Sequence, residues 1–290
     1  MRQSESLFFE VRRLRYHVRH WPGDPARRIV LLHGWMDVSA SFQFLVDAMS
    51  PDWDVYAPDW RGYGLTDWGS SDCYWFPDYL GDLDALLERI QADGAVNLVG
   101  HSLGGNVAML YAGVRPARVA QLVNLEGFGM SATRPEQAPG RYARWLEELR
   151  GPPRLRDYRD FSALADRLQK NNPRLTRERA EFLARHWGRE VDGSVELRGD
   201  PAHKIVNPIL YRYEEARAIW QEIAAPVLWV DASESETLKR IGIGSEQYAE
   251  RRSAIANIRY VTVAEAGHML HHDQPEALAR LIEDFLAIRA

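Results

Sequence analysis

Ser102 sits inside GHSLGG (100–105), between an apolar run, VNLV (96–99), and a stretch of helix-forming residues, NVAMLYAGV (106–114). Glycines two positions to either side of a serine are more than a plain turn needs. They suit a strand-to-helix turn so tight that the serine adopts strained backbone and lifts its hydroxyl clear. The helix that follows aims its free N–H groups at that hydroxyl, where an oxyanion would need them. The competing reading of Ser102 is an ordinary helix N-cap. His268, in AGHMLHHDQPE (266–276), is the histidine whose setting suits proton transfer; the competing reading is a surface histidine, and that is the expectation for His271 and His272.

Other polar residues stand at the ends of apolar runs, where open α/β sheets gather their ligand sites. His33, Gly34 and Trp35 follow RRIVLL. Asp59 and Arg61 follow WDVYAP, Glu126 follows LVNL, and Asp231, Ser233, Glu234 and Ser235 lie at the end of VLWV. A serine, several carboxylates and a histidine in that order are the parts needed for hydrolysis through a covalent acyl intermediate.

The elements that would hold them alternate. Residues 7–20 read as a strand pair, and PDYLGDLDALLERI has apolar residues at helical spacing. Short continuous apolar runs between helices indicate βαβ units and a mostly parallel sheet. The alternation breaks near Phe128, and Arg-rich helical segments follow. Between residues 131 and 190 there are 14 Arg and Lys against 9 Asp and Glu. Most simply this is a solvated helical face; a surface that steers anionic substrates is the sharper reading. The division expected is an α/β core over 1–127 and 223–290 with a helical cap inserted over 128–222. Trp68, Tyr74, Trp75, Trp145, Trp187 and Trp220 are candidates to line an apolar acyl pocket.

A formal charge of −5 gives no general affinity for polyanions, so no nucleic acid is expected. Cys73 is the single cysteine, which excludes an intrachain disulfide and suggests no zinc cluster. The N-terminal stretch has no apolar signal core, and no 18-residue apolar run occurs, so no membrane span is expected. These features point to a soluble, cytoplasmic protein; its oligomeric state is open.

LLHGW (31–35), DWRGYGLTD (59–67), GHSLGG (100–105) and AGHMLHHDQPE (266–276) together resemble the blocks of the α/β-hydrolase-fold serine hydrolases, in order and at similar intervals. More narrowly, DPAHKIVNPILYRYEEARAIW leading into APVLWV resembles the serine-hydrolase-like (kraken-type) branch. The resemblance implies a mostly parallel sheet flanked by helices, an inserted helical cap and no cofactor. It implies Ser102 as nucleophile, His268 as general base and then acid, and an oxyanion hole from the backbone N–H groups of Leu103 and Trp35. His33 would support the oxyanion loop, while Asp59, Arg61 and Asp67 would tie loops together. The acid should follow VLWV, where related sequences place an Asp. WVDASESET has none at that offset, so Glu234, which falls nearest, is the expected acid; Asp231, Glu126 and Glu236 are the alternatives. The activity implied is cleavage of a small carboxylic ester with an apolar acyl part. Amide, thioester or C–C cleavage on the same residues is the alternative, as is a non-catalytic ligand-binding protein.

Overall fold

The computed structural model describes residues 1–69 and 72–288. Its strands are β1 (Glu5–Val11), β2 (Leu14–Trp21), β3 (Asp24–Leu32), β4 (Trp53–Pro58), β5 (Val96–His101), β6 (Val119–Leu125), β7 (Gly188–Val191), β8 (Ser194–Leu197), β9 (Val227–Ala232) and β10 (Ile258–Val263). Eight of them form one sheet in the order β1-β2-β4-β3-β5-β6-β9-β10. The β1–β2 pair and the β2–β4 contact are antiparallel, and every later pairing is parallel.

The apolar runs form central strands because both of their faces are covered. In β3, Ile29 and Leu31 face one apolar layer while Val30 and Leu32 face the other. Val227 and Trp229 against Leu228 and Val230 repeat the division in β9. Successive side chains of a strand point to opposite faces, so a strand buried on both sides needs an unbroken apolar run.

Helices α1 (Gln43–Ala48), α2 (Phe76–Ile90) and α3 (Leu103–Val114) lie in the first half of the chain. The inserted region carries α4 (Ala138–Arg150), α5 (Phe161–Asn171), α6 (Arg177–Trp187) and α7 (Tyr213–Gln221). The remainder has α8 (Thr237–Arg240), α9 (Ser245–Ser253), α10 (Leu270–Asp273) and α11 (Pro275–Leu286). α2, α3 and α7 cover one face of the sheet, and α1 and α11 the other. A third apolar cluster, Leu164, Leu168, Leu175 and Leu183 with Val195, holds α5, α6 and the β7–β8 hairpin together and meets the core at Phe44.

Two expectations need adjusting. The division at 128–222 takes α7 into the cap, but α7 packs on α3 so closely that a Cβ on Gly113 would collide with the Ile219 carbonyl. Trp220, 1% exposed, lies edge-on to Trp229 of β9. The inserted region is also not wholly helical, since Asp192-Gly193 turns the β7–β8 hairpin with both residues at positive φ.

Candidate active site

β5 delivers Ser102 to the carboxyl edge of the sheet. The residue has φ 52° and ψ −112°, a conformation that costs energy for any side chain. It exists because the turn is over-determined. The Ser102 N–H donates to the Leu125 carbonyl at 2.8 Å, and its own carbonyl accepts from Asn106 at 2.9 Å to begin α3. The helix comes so close to the sheet that a Cβ on Gly104 would collide with the Leu32 carbonyl. The Ser102 side chain does not cap α3. Its Oγ lies 3.1 Å from His268 Nε2 instead.

His268 is held on the loop after β10. The Gly267 N–H donates to Asp273 at 2.9 Å, and the His268 carbonyl lies 2.8 Å from His101 Nε2. Its Nδ1 lies 3.1 Å from Glu126 Oε2. In its ionised form the carboxylate only accepts, so this contact places the proton on Nδ1 and leaves Nε2 free to accept from the Ser102 hydroxyl.

Glu126 directly follows β6, with φ 56° and 2% exposure. Its N–H donates to Val230 at 3.0 Å. Oε1 accepts the Ala232 N–H at 2.9 Å, and Oε2 accepts the Ser235 hydroxyl as well as His268. Thus the segment after β9, expected to supply the carboxylate, supplies donors to it. Glu234 itself is half-exposed and paired with Arg174 of the cap. Asp231 turns toward Trp229 Nε1 at 3.0 Å and the Tyr248 hydroxyl. Glu236 pairs with Lys239 at 3.7 Å on the surface. The expectation of Glu234 at His268 is therefore corrected: the carboxylate found there is Glu126. The available sequence signal was its place at the end of an apolar run beside the one that delivers Ser102.

Burial pushes the Glu126 carboxyl up to about 7, against the opposing hydrogen bonds from Ser235 and Ala232. Burial also pushes His268 down to about 4, with Arg240 adding to the effect. The imidazole is therefore neutral and able to accept a proton at neutral pH.

The loop after β3 passes against Ser102: a Cβ on Gly34 would sit 3.2 Å from Ser102 Cβ. Trp35 follows on that loop and lines the same cavity as Ser102 and Leu103. Leu103 is the first residue of α3, so its N–H lacks an intrahelical partner. His33 steadies the loop from below, with Nδ1 2.8 Å from the Gly34 carbonyl and Nε2 accepting the Trp60 N–H at 2.9 Å. Asp59 accepts from Ser39 and Leu65, Arg61 pairs with Asp78 and Asp82, and Asp67 accepts from Arg15, each joining separate segments.

The cavity over Ser102 measures about 430 Å³ and is mostly aromatic and aliphatic, with Trp35, Trp75, Phe76, Phe128 and Ile205 among its walls. Of the aromatics singled out in the sequence, Tyr74 and Trp75 face it. Trp187 lines a separate cavity, Trp68 is exposed beneath Arg189, and Trp220 belongs to the core. His271 and His272 are not surface residues: both are buried behind His268 and share the Ser41 hydroxyl at 3.1 and 2.6 Å. Asp37, His101 and His271 each bring a potential metal-ligating atom within 4.8 Å of the others. They are buried there, and His101 Nε2 and His271 Nε2 already meet the His268 carbonyl and Ser41. No described helix is long and apolar enough to cross a membrane.

Residues 29–281 match the model of the alpha/beta hydrolase family. A serine hydrolase-like protein of Danio rerio is 27% identical over 274 residues, which cover 92% of this chain and 83% of that protein. A 3-hydroxybutyrate-oligomer hydrolase of Cupriavidus necator is 27% identical over 284 residues, covering 93% of this chain and 91% of that one. Among solved structures, the thioesterase domain from the curacin biosynthetic pathway superposes with a TM-score of 0.86 over 97% of this chain and 99% of that domain. At 22% identity that likeness is one of fold.

Proposed function

The chain belongs to the alpha/beta hydrolase family, and from that premise we propose that it cleaves a carboxylic ester through an acyl-enzyme on Ser102. The observation that carries this reading is the relay of two 3.1 Å contacts, Ser102 Oγ to His268 Nε2 and His268 Nδ1 to Glu126 Oε2. Ser102 Oγ attacks the ester carbonyl as its proton passes to His268 Nε2. The tetrahedral oxyanion is met by the backbone N–H groups of Leu103 and Trp35. His268 then returns the proton to the departing alcohol, and a water, activated by the same imidazole, releases the acid. Glu126 holds the imidazole in the productive tautomer and stabilises the imidazolium formed in each half-reaction.

The substrate is a small molecule whose apolar acyl part is accommodated by the aromatic walls of the cavity; such walls suit an alkyl or aryl chain through area burial. Labelling with a fluorophosphonate probe tests the nucleophile, and a panel of p-nitrophenyl esters of increasing acyl length tests the bond and the pocket. Labelling and turnover that both vanish in Ser102→Ala support the proposal. A wild-type protein that is neither labelled nor active on the panel overturns it in favour of ligand binding without catalysis.

A further inference from the structure

We propose that Arg141 makes the cavity over Ser102 selective for esters that carry an acidic group, so that the substrate is a small amphiphile with an apolar body and an anionic end. This rests on the hydrolase reading above and adds a class of substrate to it. The cavity walls are largely apolar, and few ionisable groups reach them. Glu126 is committed to His268, Ala232 and Ser235. His203 is stacked between Tyr63 and Tyr74 at 3.8 Å from each ring, and burial pushes it down to about 3, so it carries no charge at neutral pH. Arg141, reaching in from α4, is left as the cationic side chain on the wall.

Arg144, Arg159, Arg174, Arg177, Arg179 and Arg189 each have a carboxylate partner. Arg141 shares the lack of one among the described residues with Arg134, Arg150, Arg154, Arg156, Arg167 and Arg185, but of these it alone lines the cavity over Ser102. Its Nε donates to the Asn207 carbonyl at 2.6 Å. That bond anchors the guanidinium and leaves both terminal nitrogens without an acceptor among the described residues. A planar guanidinium with its fork open is shaped for two-point binding of a carboxylate, sulfate or phosphate. Set in an apolar wall, its field is screened less than it would be on an open surface. The cavity's 430 Å³ limits the ligand to a small molecule, and the acid can be carried on either the acyl or the alcohol side.

Matched esters read this directly. One arm compares p-nitrophenyl hydrogen suberate with p-nitrophenyl octanoate; the other compares the butyrate ester of 4-hydroxybenzoic acid with that of its methyl ester. The wild type is expected to favour the acidic ester in at least one arm. In Arg141→Gln the acidic-to-neutral ratio of kcat/KM should fall by about 10- to 100-fold, chiefly through KM, and Arg141→Lys should recover part of it. No acidic preference in either arm, or an equal loss on both esters of a pair, overturns the proposal. Calorimetric titration of Ser102→Ala with monomethyl suberate and with 4-hydroxybenzoate reads the same subsite without turnover. Binding that disappears when Arg141→Gln is added supports the anion subsite even if no ester is cleaved, in which case the hydrolase reading alone fails. Absence of binding to Ser102→Ala, together with no preference in turnover, overturns the subsite.

Discussion

Glu126 Oε2 lies 3.1 Å from His268 Nδ1 although the two residues leave strands that are not neighbours. β9 stands between β6 and β10 in the sheet. Adjacent strands are about 4.8 Å apart, so the carboxylate and the imidazole must close a gap of roughly two strand spacings. The His268 loop folds back toward the sheet centre, and a long glutamate side chain crosses the end of β9. Ala232 and Ser235, both from that crossing point, hold the carboxylate in place.

Exchanging carboxylates should therefore separate the candidates. Glu126→Gln is expected to lower kcat on an activated ester by about 10²- to 10⁴-fold, since the neutral amide can neither enforce the tautomer nor stabilise the imidazolium. Glu126→Asp, one methylene short of the gap, should recover only a fraction. Glu234→Gln should change kcat by less than a factor of about two and stability by less than about 1 kcal/mol, because an exposed ion pair contributes little. A crippled Glu234→Gln beside a nearly wild-type Glu126→Gln would reverse the assignment.

Ser102→Ala should reduce turnover by about 10³-fold or more while leaving thermal unfolding nearly unchanged, because the hydroxyl does not cap α3 and packs little. His268→Ala should match it, and the double variant should be little worse than either alone. Losses that multiply in the double variant would mean that the two residues do not act as one unit.

The same geometry explains why part of the site could be read in the sequence and part could not. Ser102 was legible because its turn can be built only with glycine at the close approaches, and glycine is visible in a string of letters. The central strands were legible because burial on both faces leaves unbroken apolar runs. The carboxylate beside His268 was not, because β6 and β9 are neighbours and either strand end can offer a carboxylate to the same imidazole. Only the direction of each side chain separates them, and Arg174 draws Glu234 outward. The layer of α7 is not legible either, because its amphipathic pattern suits a cap as well as a sheet face. The β7–β8 hairpin has its sequence signal in Asp192-Gly193, a turn pair set within an otherwise helical, Arg-rich stretch.

The pH profile should show the coupling of Glu126 and His268. Burial pushes the imidazole down and holds the carboxyl up at about 7, so kcat/KM should reach its plateau above neutral pH. It should fall on the acid side with one apparent pKa belonging to the pair, between about 4 and 7. Removing the anion removes an attraction for the imidazolium, so the acid limb of Glu126→Gln should move to lower pH even as its plateau drops. An unmoved limb would mean that the carboxylate is not coupled to the base.

Stability should decline in the same direction. Burial holds His101 down at about 3 and pushes His271 and His272 well below their ordinary value. An unfolded chain takes up these protons near pH 6.5, before the folded one does. The stability that depends on neutral imidazoles is thus complete above about 6.5 and is lost as pH falls from there toward the folded values. Denaturant midpoints between pH 7.5 and 5 should decrease, and His272→Gln should flatten that slope. A slope unaffected by the substitution would assign the acid sensitivity to other groups.

Acyl-chain selectivity should follow Trp75 and not Trp145 or Trp187. Trp75 lines the cavity that holds Ser102, whereas Trp187 lines a neighbouring one and Trp145 lines neither. Replacing Trp75 by Ala removes an indole from the wall and enlarges the space available to the acyl chain. Apolar contact with an aromatic side chain is worth about 1–3 kcal/mol to a chain long enough to reach it. A chain of the right length should lose that contact, while a bulkier one that the indole excludes should gain entry. The ratio of kcat/KM for a long or branched p-nitrophenyl ester over the acetate should therefore shift by about tenfold in Trp75→Ala, with the optimum moving toward larger acyl groups. Trp145→Ala and Trp187→Ala should leave the ratio within about twofold of wild type. If all three variants lose activity equally on every ester, the walls of this cavity do not set the preference.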